Sequence, residues 1–148
     1  MALWRYGVVA KLLHNNTTTP QRHNANKSMH SFIAVFIGGG LGSMCRYGIA
    51  KILQPFEFVF PWATFLANII SCIVLGALIG WFLKNSAQDS FKLLWLTGFC
   101  GGFSTFSTFT YETYALLQDG NYFYAFTNIC FSIFVCLISI WLGLRLVQ

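Results

Sequence analysis

The residues that could do chemistry are polar groups embedded in long apolar stretches. Thr64, Asn68 and Ser71 stand at i, i+4 and i+7 inside a run without charge from Phe58 through Leu83, which puts them on one face of a helix. Asn128 and Ser132 are one turn apart in a second such run, with Ser139 two turns further, and Thr105, Thr108 and Glu112 share a face in a third. One reading of such groups is hydrogen bonding between helices, worth roughly 0.6–2 kcal/mol per contact. Three stripes on three segments point instead to a lined pathway, because polar groups at membrane depth are expensive and tend to be functional. Asn68 is the strongest candidate, since a buried amide must place two donors and an acceptor.

The segment Gly98 to Thr110 is the most unusual. Gly101 and Gly102 each cost a helix about 1 kcal/mol, and a series of hydroxyls follows them. A helix broken at these glycines would free carbonyls able to hold a cation, and would present the positive N-terminus of a half-helix. Phe103, Phe106 and Phe109 recur every three residues, on one side of a continuous helix. They are either packing aromatics or rings whose positive edges face an anion. Arg46, near the end of the first apolar span, either snorkels to the interface or raises the anion concentration at a pore mouth. Gly38/Gly42 and Gly76/Gly80 form two GxxxG pairs suited to close helix contact.

These residues need elements to hold them, and composition says which. Of 148 residues 56% are hydrophobic and only 9% charged, against about 25% charged in a soluble domain. The uncharged runs Phe58–Leu83, Leu93–Tyr111 and Gly120–Leu144 hold 26, 19 and 25 residues, and an earlier span runs from Ser31 to about Ile52. Each is long enough to cross a hydrocarbon core of about 30 Å. The expectation is an all-α integral membrane protein with four transmembrane helices, the third broken in its middle. The chain divides into a basic polar tail, residues 1–30, expected to be disordered, and a transmembrane domain, residues 31–148.

The tail holds Arg5, Lys11, Arg22 and Lys27 without an acid, so most of the net charge of +5 lies outside the apolar body. This excess is no nucleic-acid footprint, which requires a basic patch on a folded soluble face. A short amphipathic helix over residues 1–13 and a working start at Met29 are further expectations. Counted from Met29, Lys84, Lys92 and Arg145 on one side oppose Arg46 and Lys51 on the other. That near balance permits insertion both ways round, whereas the tail favours cytoplasmic termini. All three His lie in the first thirty residues and the acids number four, which leaves little material for hydrolytic or metal-dependent catalysis; the chain reads as no enzyme. Five Cys within apolar stretches read as buried free thiols.

The combination GGGLGSMCRY, then Pro-Trp-Ala-Thr-x3-Asn from Pro61 to Asn68, then GFCGGFSTFSTFTYE from Gly98 to Glu112, then Asn-x3-Ser and Trp-Leu-Gly, resembles the CrcB/Fluc fluoride channel family over residues 31–148. The resemblance implies an antiparallel dual-topology homodimer in the cell inner (plasma) membrane, with two fluoride pores and a structural Na⁺ at the dimer interface. It likens Phe106 and Phe109 to pore phenylalanines and Asn68 to the pore asparagine. Ser107, Thr108, Glu112 and Ser132 resemble a polar track, and Arg46 a vestibule arginine. The Gly101 and Ser104 carbonyls resemble the Na⁺ ligands. Ala63, Ser104 and Cys136 depart from the pattern, which usually has Gly, Thr and Gly there. A paralogue of opposite charge bias would make the pair a heterodimer. Two other functions stay open: a dual-topology proton-coupled exporter of small cations, with Glu112 as its carboxylate, and a membrane assembly subunit.

Overall fold

The computed structural model describes residues 21–85 and 87–147, with side chains from Ser28 onward. Helix α1 (Gln21–Leu53) is followed by a 3₁₀ turn (Gln54–Phe56) and by α2 (Trp62–Lys84). A third helical run comprises α3 (Asp89–Lys92), a π-helical segment (Leu93–Cys100) and α4 (Gly101–Phe103). After Ser104 and Thr105 the chain becomes helical again as α5 (Phe106–Gln118), and α6 (Tyr122–Val147) closes the fold. The described residues contain no strand. Ser28–Phe56, Trp62–Lys84 and Tyr122–Val147 are long and apolar enough to cross a membrane, which makes this a multi-pass membrane protein.

Two sequence expectations need correction. The helix begins at Gln21, so residues 21–30 are helical rather than part of a disordered tail; residues 1–20, including the suggested helix over 1–13, lie outside the described residues. No Gly or Pro interrupts residues 21–37, so nothing local ends the helix where its hydropathy falls. At about 1.5 Å per residue the 33 residues of α1 exceed the hydrocarbon core, and its polar first turns project beyond it. Second, Gly101 and Gly102 are helical, and the residues in extended conformation are Ser104 and Thr105.

The glycines serve close packing. A methyl group on Gly38 would overlap the Leu94 carbonyl, one on Gly42 the Phe99 carbonyl, and one on Gly102 the backbone of Gly39. Residue numbers rise together along this contact, so α1 and the third run lie parallel. Helices α2 and α6 are parallel too. Gly76 meets the Ile140 carbonyl, Gly80 sits against Leu144, and the Phe65 and Phe131 rings stack with centroids 5.2 Å apart. Both GxxxG pairs are thus seams of backbone contact.

The ends are set locally. Pro61 occupies the cap position before Trp62. At the end of α5, Asn121 N–H donates to the Leu116 carbonyl and Gly120 N–H to Leu117, a Schellman closure in which Gly120 takes φ +74°. Aromatic clusters mark both ends of α2, Phe60 with Trp62 at one and Trp81 with Phe91 at the other, as at a membrane–water boundary. Helices α1 and α6 expose large apolar side chains, Phe36 at 82% and Phe123 at 77%, an outer surface suited to lipid or to another membrane chain.

Candidate functional site

The α2 stripe is turned along its whole length toward the third run, the interruption after it and α5. Thr64 donates to Glu112 Oε1 at 2.8 Å, and Ser71 donates to the Cys100 carbonyl at 3.0 Å. Between them Asn68 Oδ1 accepts the Thr105 N–H at 2.8 Å, while its Nδ2 donates to the Thr105 carbonyl at 3.5 Å. One amide hydrogen of Asn68 remains beyond that contact.

Thr105 is the hub of the interruption. Its hydroxyl oxygen caps α5 by accepting the Thr108 N–H at 3.2 Å, and its own hydrogen goes to Thr108 Oγ1 at 3.0 Å. Ser107 lies 3.3 Å from the same oxygen; with the Thr105 hydrogen committed to Thr108, Ser107 is the donor. Thr108 therefore accepts from Thr105 and keeps its own O–H for another acceptor. The cap accounts for the resumption of the helix at Phe106, a Thr at N-cap being worth about 0.5–2 kcal/mol. Thr105 belonged to the Thr105/Thr108/Glu112 stripe in sequence but was not among the expected site residues. The signal that would have singled it out is a hydroxyl residue directly before a helical stretch.

The interruption also redirects two carbonyls. In a continuous helix the Thr105 N–H would bond the Gly101 carbonyl and the Thr108 N–H that of Ser104. Here those donors go to Asn68 and to the Thr105 hydroxyl. Ser104 takes φ −74° and ψ 154°, and its hydroxyl donates back to the Cys100 carbonyl at 3.0 Å. A side chain at Gly101 would meet nothing within 4 Å, so this backbone is open to approach from outside the protomer. Oxygens of this kind fit a hard monovalent cation.

Two clefts flank the polar stripe. One, of about 260 Å³, is walled by Asn68, Ser104, Phe106, Phe109 and Ser132 together with Cys72 and Cys136. Phe106 and Phe109 lie with ring centroids 5.8 Å apart. Phe103 does not join them, contrary to the three-residue period: it is buried and packs on Phe99 at 5.6 Å, because the extended residues reset the helical phase. Ser132 donates to Asn128 Oδ1 at 3.3 Å, and Asn128 to Thr113 at 2.8 Å, so the α6 stripe braces α5. The second cleft, of about 270 Å³, brings together Arg46, Thr64, Thr108 and Glu112. Glu112 Oε2 is buried there with no hydrogen-bond partner among the described residues. Ser107, exposed on the first turn of α5, borders neither of these two clefts. Of the five free thiols, Cys100 is buried, Cys72 and Cys136 are half-buried and Cys45 and Cys130 exposed, which corrects the expectation that all are buried.

Known proteins place the chain. The family described as "CrcB-like protein, Camphor Resistance (CrcB)" matches residues 33–144. A protein of Pyrococcus abyssi (strain GE5 / Orsay) named "Fluoride-specific ion channel FluC" is 39% identical over 122 residues, 82% of this chain and 98% of that one. One of the same name from Flavobacterium psychrophilum is 37% identical over 118 residues, covering 78% and 95%. Another, from Enterobacter sp. (strain 638), is 44% identical over 98 residues, covering 66% and 77%. With matches spanning nearly all of the membrane body, this chain belongs to the CrcB-like protein family.

Proposed function

We propose that this protein is a passive, fluoride-selective channel that lets F⁻ leave the cytoplasm and so lowers its toxic concentration. The observation that carries the reading is the convergence of Asn68, Phe106, Phe109 and Ser132 on one cleft at the helix interruption. Relatives covering most of the chain are named fluoride-specific ion channels, which supports the same ion.

The physical task is dehydration of a small, strongly hydrated anion. Asn68 offers its remaining amide hydrogen and Thr108 its uncommitted hydroxyl, each replacing a hydrogen bond from water. Ser132 serves once it releases Asn128. The edges of Phe106 and Phe109 add positive potential without a charge that would trap the ion. Arg46 gathers anions at the second cleft, where Glu112 completes the polar track, and Ser107 joins it only through its hydrogen bond to Thr105.

Four membrane crossings, the third made of the third run and α5 joined across the interruption, are supported by chain direction: the third run lies parallel to α1, while α2 lies parallel to α6. An antiparallel homodimer in the inner (plasma) membrane, with two pores, is supported by the open cleft. Phe106 is 79% exposed, and a second copy would cover it. A structural Na⁺ at the interface would be held by the Gly101 and Ser104 carbonyls of both copies. It would neutralise their dipoles there, and the open surface at Gly101 gives room for that approach.

A proton-coupled exporter of small cations takes its support from Glu112, whose Oε2 is buried and unpartnered. The two readings separate in a fluoride-sensitive bacterium lacking its own fluoride exporter. Expression of this chain restores growth in fluoride, and Glu112→Gln, which keeps an acceptor for Thr64, retains part of that rescue. Failure of the unaltered chain to rescue while it is present in the membrane counts against the channel.

A further inference from the structure

Cys72 on α2 and Cys136 on α6 sit in the wall of the same cleft as Asn68 and Ser132. Each stands four residues, one helical turn, beyond one of those polar residues. The parallel register of α2 and α6 continues from here to Gly76 against Ile140 and Gly80 against Leu144. That register sets the two cysteines opposite one another across the seam, both in the wall of one cleft. Both are free thiols, half-buried rather than sealed, and ion passage as argued above uses neither.

Two thiols in one cleft wall, on helices locked by backbone packing, are a preorganised sulfur pair. Thiolate is a soft ligand that selects soft metal ions, and d¹⁰ ions such as mercury(II) bind two sulfurs in a line without needing a third ligand. We propose that Cys72 and Cys136 form a two-sulfur site for a soft, linearly coordinated d¹⁰ metal cation, and that occupying it closes the cleft. With mercuric chloride, two thiols and HgCl₂ give one S–Hg–S bridge and two HCl. Two S–H and two Hg–Cl bonds break, two Hg–S and two H–Cl bonds form, and nothing is oxidised or reduced. HgCl₂ is neutral, so neither lipid nor an anion-selective path bars its approach. The bridge fills space one turn from Asn68 and Ser132 and removes two weak S–H donors. The effect on flux rests on the fluoride-channel reading; the binding of metal does not.

The test uses the full chain in liposomes, in a Cys45→Ser/Cys130→Ser background that removes the two exposed thiols. Mercury retained after washing with a monothiol is counted per protomer, and fluoride efflux is compared with and without HgCl₂ within each variant. The background protein should retain one mercury per protomer and lose flux about tenfold or more, both reversed by a dithiol. Adding Cys72→Ser or Cys136→Ser should abolish retention, because a lone S–Hg–Cl adduct exchanges with the wash, and should leave block below about twofold. Cys72→Ala and Cys136→Ala, compared by elution volume, guard against misfolding of the serine forms. Retention and block that persist in both single variants would overturn the proposal. A background protein that carries no fluoride before mercury is added would sink the channel reading, and the mercury count would then decide the site alone.

Discussion

Replacing Asn68 by Asp changes one functional group and divides two jobs that the side chain performs. Its Oδ1 holds the Thr105 N–H at 2.8 Å, and its Nδ2 makes the longer contact at 3.5 Å while facing the cleft. A carboxylate keeps the short bond, so the interruption at Ser104 and Thr105 stays braced. It loses both amide hydrogens and adds a negative charge to the cleft wall. Two like unit charges about 4 Å apart repel by about 4 kcal/mol at an effective dielectric of about 20, and each 1.4 kcal/mol is about a factor of ten. Fluoride flux should fall by about three orders of magnitude, down to the leak of protein-free vesicles. The assay is passive efflux from fluoride-loaded liposomes, read by a fluoride electrode. The variant should insert and elute as the parent does, whereas Asn68→Ala, which loses both contacts to Thr105, should also melt at a lower temperature. An Asn68→Asp protein that carries fluoride within about threefold of the parent would refute the assignment of Asn68 to the pore.

Removing residues 2–28 should leave fluoride efflux intact, as measured in liposomes, because the apolar body and both clefts lie beyond them; a truncated protein that inserts but carries no fluoride would return the tail to the mechanism. Gly42→Val should prevent assembly of the membrane body, since added bulk meets the Phe99 carbonyl; overpacking costs about 1–3 kcal/mol or more, and yield of detergent-stable protein reads it. Gly101→Val meets nothing within the protomer, so it should fold yet fail to dimerise or conduct; normal dimers and flux would remove the proposed Na⁺ site. Thr105→Ala should lower stability by about 0.5–2 kcal/mol and reduce flux, and Thr105→Ser should restore both; equal melting of all three proteins would show that the cap is idle.

The spans were legible because charge is so scarce. The uncharged run Phe58–Leu83 anticipates α2 and Gly120–Leu144 anticipates α6. The periodic stripe of Thr64, Asn68 and Ser71 named the face that meets the third run. The position of the interruption was not legible, because Gly101 and Gly102 carry two meanings in a sequence. Weak helix propensity suggested unwinding at them, but Gly102 is small because Gly39 lies against it. What stops the helix is tertiary: Asn68, thirty-seven residues away, takes the Thr105 N–H. The misplaced Phe103 follows from that error, since two extended residues between Phe103 and Phe106 change which side each ring faces. That Cys72 and Cys136 share one cleft wall likewise depends on the α2–α6 register, which no local pattern fixes.

A fluoride-selective pore must pass fluoride and reject other halides, and one vesicle measurement decides between the two outcomes. The purified chain is reconstituted in liposomes loaded with equal potassium fluoride and potassium chloride, a potassium ionophore is added, and both anions are followed outside with selective electrodes. Fluoride should leave rapidly while chloride stays inside. No fluoride release above that of protein-free vesicles, or chloride leaving alongside it, would rule out a fluoride-selective pore in this protein.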